Sequence, residues 1–232
     1  MRRITVALVD DQPIVRSGLR VTLAQDPQIE IVGEAQHGVE GVQMARLLRP
    51  DVVLMDIDMP RMGGVEATRQ ICNELQNPRP RVLILTVYQQ DEYLFEALRA
   101  GASGFLLKTA PTEKVVEAIR AVAEGSAMLA PEATAKLITE FASRPAASGI
   151  NAPELVTFTD RELDVFKLLV CGYRNDEIAR RLVVGDSTVK SHIQHIYLKL
   201  GVRDRVQVVI YAYEHGLIQA GVGLVSADRW KR

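Results

Sequence analysis

Apolar residues recur along the first half of the chain with two alternating periods. Short, largely β-branched runs at Ile4–Val9, Ile29–Val32, Val52–Met55, Arg81–Thr86 and Ser103–Lys108 are continuous enough to be strands buried on both faces. Segments with helical spacing separate them. One opens at Pro13 and turns Val15, Gly18, Leu19, Thr22 and Leu23 inward; others cover Val39–Leu48, about Val65–Leu75, and Asp91–Ala100. A last one starts at Pro111, places Val115, Val116, Ile119, Val122 and Ala123 on one side, and stops near Gly125. Five such alternations predict an α/β domain, a doubly wound parallel sheet of five strands with helices on both faces.

The pattern then lapses. Pro131, Pro145 and Pro153 and a run of small residues predict a tether over 126–156, with one short helix over Pro131–Phe141. From Thr159 the period is helical throughout. Thr159 and Glu162 form a capping pattern ahead of Val165, Phe166, Leu168 and Leu169; Asn175 caps a helix with Ile178, Ala179 and Leu182; and Asp186 or Ser187 caps a third with Val189, Ile193, Ile196 and Leu200. Three short helices with so small a turn predict a helix-turn-helix. A final helix within Asp204–His215 carries Val206, Val209, Ile210 and Tyr213 at helical spacing. The domains expected are 1–125, a linker at 126–156, an all-α domain at 157–218, and a tail at 219–232 that matches no pattern.

Composition changes this picture little. Nearly half the residues are apolar, enough for two cores, and the formal net charge of −1 leaves nucleic acid open, because a local basic surface can be offset elsewhere. Such a surface exists: between Ser187 and Arg205, four Lys or Arg stand against one Asp, a local excess of +3. Cys72 and Cys171 have neither metal-type nor disulfide spacing, and no leader or long apolar span is evident, so a cytoplasmic protein with reduced thiols is expected. His192 and His195 have no third ligand in view and are not read as a metal pair.

In a doubly wound sheet the C-terminal ends of all strands share one edge, where ligands collect. The residues at those ends are Asp10, Asp11, Asp56, Thr86 and Lys108. One aspartate after a strand is commonly a turn or cap residue, but three carboxylates, a hydroxyl and an ammonium on one rim make a site. Carboxylates about 4 Å apart repel by roughly 4 kcal/mol at an effective dielectric near 20, so the cluster calls for a cation. Magnesium fits best, since it takes one or two carboxylates and keeps waters and phosphate oxygens in its shell. The remaining carboxylate is then free to act as a nucleophile towards a phosphoryl group.

Asp10-Asp11, Asp56 with Met59-Pro60 and Gly64, Thr86, and Gly104-Phe105-Leu106-Leu107-Lys108 resemble the flavodoxin-like receiver domain of two-component response regulators. The resemblance implies that Asp56 accepts a phosphoryl group from a sensor histidine kinase. It further implies that Asp10, Asp11 and the backbone carbonyl of Asp58 hold magnesium with it, and that Thr86 and Lys108 bind the phosphoryl group. Phe105 matches the family's switch aromatic, and is equally well read as a core residue. Asp58 and Tyr88 occupy positions tied in the family to phosphate lifetime, while Gly63 departs from the aspartate often found there.

The run Glu177 to Leu182, then Ser187 to His192 and Lys199 to Arg203, resembles the LuxR-type DNA-binding domain, and the two halves together resemble a NarL/FixJ-type response regulator. By that resemblance Lys190, Ser191 and Gln194 read base edges, while Thr188, His195, Lys199 and Arg203 touch phosphates. The last helix, with Val206, Val209, Ile210 and Tyr213, serves either core packing or dimerisation. The expected function is a phosphorylation-controlled transcription regulator and not an enzyme. Its expected partners are two DNA half-sites, a histidine kinase, a second copy of the chain and RNA polymerase. Two rival readings are a phosphatase using Asp56 transiently and a constitutive DNA-binding protein with a vestigial receiver.

Overall fold

The computed structural model describes residues 2–74, 80–87, 91–125, 128–129, 152–219 and 223–224. Tyr88, the expected helix at Pro131–Phe141 and the tail around Trp230 lie outside them. The chain divides into two compact units, Met1–Thr134 and Ala135–Arg232.

In the first unit the strands are β1 (Ile4–Val9), β2 (Ile29–Ala35), β3 (Val52–Met55), β4 (Arg81–Thr86) and β5 (Gly104–Leu107), all parallel, in the order β2-β1-β3-β4-β5. A two-residue strand, β6 (Met128–Leu129), extends this sheet beside β5. The helices are α1 (Pro13–Leu23), α2 (Gly38–Leu48), α3 (Gly64–Glu74), α4 (Asp91–Arg99) and α5 (Thr112–Ala123). Strand order reverses between β1 and β3, and Val9 pairs with Met55 at their ends. Asp10 and Asp56, the next residue of each strand, therefore face each other across the crevice that such a reversal opens.

The central strands read as apolar runs because both faces are covered: Val52, Val53, Leu54 and Met55 are all buried. On one face Val6, Leu8, Val52, Leu54, Leu83, Leu85 and Leu106 pack against Leu23 of α1 and Val115, Ala118, Ile119 and Val122 of α5. Two details of α1 depart from the hydrophobic pattern. Gly18 faces solvent instead of the core, while Arg16 is buried.

The second unit comprises a 3-10 turn (Pro153–Thr157) and helices α6 (Asp160–Val170), α7 (Asn175–Leu182), α8 (Asp186–Leu200) and α9 (Arg205–Glu214), followed by a small antiparallel pair, β7 (Ile218–Gln219) and β8 (Gly223–Leu224). Phe166, Leu155, Leu169, Ile178, Val189 and Ile196 centre its core, and Phe158 meets Phe166 edge-to-face at 5.7 Å. The expected capping box is present: the Glu162 N–H donates to Thr159 Oγ1 and the Thr159 N–H to Glu162 Oε2. Two caps differ from expectation. Asn175 is the first residue of α7, not its cap, because Glu177 reaches back to accept from the Arg174 N–H at 2.7 Å. At α8 Gly185 is the N-cap, which places both Asp186 and Ser187 inside the first turn.

Val183 closes α7 in the left-handed conformation, with φ 54, and is 89% exposed. A β-branched residue there costs roughly 1–2 kcal/mol with no packing in return. Val183→Asn is expected to raise the stability of this unit by about 1 kcal/mol, read as a higher midpoint in urea unfolding.

Candidate functional site

The rim of the first unit is built on a shared lysine. Lys108 follows β5, and its N–H donates to the carbonyl of Thr86 at 2.7 Å, which fixes where the side chain starts. Its Nζ reaches Asp10 Oδ2 at 2.6 Å and Asp56 Oδ2 at 2.7 Å. All three side chains are buried. Asp10 Oδ1 accepts from the Gln12 N–H at 2.9 Å, and Asp56 Oδ1 accepts from the Ile57 N–H at 2.8 Å. Asp11 completes the cluster: one oxygen from each of the three aspartates lies within 4.8 Å of the others.

Three carboxylates against one ammonium leave a formal charge of −2. At this spacing and an effective dielectric near 20, each pair of carboxylates repels by roughly 3 kcal/mol, which a single lysine offsets only in part. Asp11 Oδ1 is moreover buried with no hydrogen-bond partner, a position that costs energy unless something positive meets it. An all-oxygen donor set, a deficit of two charges and an orphaned oxygen fit a hard divalent cation.

The titration of the groups follows. Burial pushes the Asp56 carboxyl above its ordinary value; Lys108 opposes the shift, and neighbouring Asp10 reinforces it. For Lys108, burial pushes the ammonium down, but hydrogen bonds and attraction from Asp10 and Asp56 outweigh it and hold the group above its ordinary range. Thr86 is fully buried at the end of β4, and Phe105 is buried in mid-β5 opposite Ile84, a core position. Asp58 is exposed in the loop after β3.

That loop is tightly folded. The Gly64 N–H donates to the carbonyl of Ile57 at 2.7 Å, and a Cβ on Gly64 would stand 1.8 Å from the carbonyl oxygen of Asp56. Any side chain here would displace the Asp56 backbone. Gly63 has a little more room, its notional Cβ lying 3.1 Å from the Ile57 carbonyl oxygen. Arg61, at φ 67, places Nη1 3.0 Å from Nε2 of buried His37, and the Gly38 N–H donates to Met62 O. The loop is thereby fastened to the start of α2.

Arg16 is the participant that hydrophobic patterning missed. Its Nη1 donates to the backbone carbonyl of Asp10 at 2.6 Å, and its Nε lies 3.4 Å from Glu34 Oε2, while Arg20 approaches Oε1 of the same carboxylate. An arginine on the first exposed-looking turn of a helix carries no sequence signal for burial; only the approach of β2 reveals its role.

In the second unit, Thr188, Lys190, Ser191, Gln194 and His195 of α8 are all exposed. Lys199 and Arg203 are half-buried, and Lys199 is engaged inside the unit: its Nζ donates to Glu162 Oε2 at 2.6 Å and Thr157 O at 2.7 Å. Burial pushes the Glu162 carboxyl up, but Lys199 and the Thr159 hydrogen bonds outweigh that and hold it below its ordinary value. Of the four residues singled out in α9, Val206 and Ile210 are buried, while Val209 and Tyr213 are half-buried against the core. No helix among the described residues is long and apolar enough to cross a membrane.

Comparison with known proteins places both units. Residues 6–120 match the family described as response regulator receiver domain, and residues 156–212 match bacterial regulatory proteins, luxR family. Two transcriptional regulatory proteins of Bacillus subtilis (strain 168), YxjL and LiaR, are each 41% identical to the chain, with 94% and 93% of the chain and 98% and 99% of the relatives covered. Among solved structures, the response regulator ChrA of a heme-sensing two-component system is 36% identical with a TM-score of 0.51, over 92% of this chain and 98% of its own.

Two outcomes are expected. Asp56 binds its proton more tightly when folded, so its contribution to stability is fully present below the ordinary value of 3.8 and is lost as pH rises through the raised folded value. Asp56→Asn should therefore raise the melting temperature of the first unit at neutral pH, with the gain fading as the pH is lowered towards 3.8. Arg16→Ala leaves the Asp10 carbonyl without its side-chain donor and Glu34 with Arg20 alone, and should weaken binding of a divalent cation by about tenfold, measured by calorimetric titration.

Proposed function

The chain belongs to the two-component response regulators in which a receiver domain precedes a LuxR-type helix-turn-helix, and from that premise we propose that Asp56 accepts a phosphoryl group from a sensor histidine kinase to control DNA binding. The reading is carried by one observation: the buried carboxylates of Asp10 and Asp56 share the single ammonium of Lys108, and Asp11 joins them in a cluster of formal charge −2. Asp56 is the member whose backbone N–H donates across the switch point to Val9 O at 2.8 Å and whose Oδ1 accepts from the Ile57 N–H. Its raised basicity suits a nucleophile, provided the carboxylate is ionised at working pH.

Asp10, Asp11, Asp56 and the Asp58 carbonyl would hold a magnesium ion, which when bound supplies the positive charge that neutralises phosphoryl oxygens. A carboxylate oxygen of Asp56 attacks phosphorus as the bond from phosphorus to the donor breaks, and the donor leaves with that electron pair. The Lys108 ammonium, now paired with Asp56, turns to the new phosphoryl oxygens, and the Thr86 hydroxyl donates to another. The product carries roughly 1.5 to 2 negative charges where the carboxylate carried one, together with three acceptor oxygens, enough to bias an element with two arrangements. Asp58, exposed beside the phosphoryl position, and Tyr88 set how fast water removes it.

On the effector side, Lys190, Ser191 and Gln194 read base edges, and Thr188, His195 and Arg203 meet phosphates. Lys199 contributes less, because Glu162 and Thr157 already hold it. Two chains paired through α9 would use Val209 and Tyr213, and Val206 and Ile210 would have to be uncovered first; half-sites would lie about one helical turn apart. A cytoplasmic location suits the DNA partner and the free thiols Cys72 and Cys171.

The test is direct. With a small acyl-phosphate donor and magnesium, the full chain should gain one phosphoryl group; Asp56→Ala and removal of magnesium should each abolish the gain, read by intact mass. Phosphorylation should tighten binding to a selected operator, and Gln194→Ala should cost about 1–3 kcal/mol of discrimination at one base pair. Uptake by Asp56→Ala equal to that of the parent would overturn the assignment.

A further inference from the structure

Helix α8 presents two opposed arcs. Val189, Ile193, Ile196, Tyr197 and Leu200 are buried on one side. At 3.6 residues per turn, Lys190, Gln194, Ser187, Leu198, Ser191, His195 and Thr188 fall, in that angular order, within an arc of about 160° on the other. Every residue of this second arc is exposed. Six are polar; Leu198, at its middle, is 77% exposed. A leucine so placed on the one face that a recognition helix can offer to a groove has no packing role within the unit.

We infer that Leu198 is a specificity-determining residue that reads the C5-methyl group of a thymine in the major groove. This rests on the DNA-binding reading proposed above. The major groove displays that methyl beside hydrogen-bonding edges, and an aliphatic side chain is the partner that recognises it. Leu198 stands one turn beyond Gln194, a rise of about 6 Å, which spans roughly two base-pair steps of about 3.4 Å. The thymine therefore lies about two base pairs from the base read by Gln194. Lys199, the neighbouring cation, is turned away to Glu162 and Thr157 and does not compete for this position.

The experiment uses the phosphorylated full chain. A bound site is first selected from random duplex DNA; each thymine in it is then replaced singly by deoxyuridine, which removes only the methyl group. For the parent protein, one replacement near the Gln194 position should weaken binding by about four- to tenfold, the value of one buried methyl. Leu198→Ala should bind the thymine site as weakly as the parent binds the uridine site, and should be indifferent to the replacement. Leu198→Met, which keeps an apolar tip, should retain the preference. Parent and Leu198→Ala proteins with the same thymine-to-uridine ratio at every position overturn the inference and leave Leu198 to a protein partner. Failure of the parent to select any site overturns the DNA-binding reading itself, and the inference with it.

Discussion

One buried ammonium shared by two carboxylates organises the receiver. Lys108 joins the ends of β1, β3 and β5, and the adjacency of β1 and β3 places Asp10 and Asp56 within reach of the same nitrogen. Burying charge is expensive, and a shared partner compensates incompletely. The deficit of two charges and the unpartnered Asp11 oxygen are what fit the site to a hard divalent cation.

The surrounding structure prevents relaxation of that strain. Gly64 permits the chain after Asp56 to double back where any side chain would collide with the Asp56 carbonyl. Arg16 binds the Asp10 carbonyl from the opposite flank and is itself oriented by Glu34. His37, Arg61 and the Gly38–Met62 hydrogen bond tie the loop after β3 to the start of α2. These contacts fix the backbone on either side of the cluster and leave the charge of its carboxylates unmatched.

In the effector unit the cations divide into two groups. Arg205 donates to the carbonyls of Leu169 and Tyr173, and Lys199 to Glu162 and Thr157, so both brace helices against each other. Lys190 remains at the surface. The local excess of positive charge is thus partly structural.

Alternating periods, prolines at helix starts and the chemistry at strand ends were legible in the chain alone, because side-chain burial in a strand or helix repeats with the local backbone geometry. The capping box at Thr159 and Glu162 was legible for the same reason: its partners are three residues apart. What only the tertiary structure decided involves competition among distant groups. Lys108 and Asp56 are 52 positions apart, and Lys199 and Glu162 are 37 apart. Which acceptor wins a given cation depends on how strands and helices approach, as does the burial of Arg16 and the exposure of Gly18. Even the cap of α8, Gly185 rather than Asp186 or Ser187, was set by the backbone of the turn, in which Gly185 is still extended and Asp186 is already helical.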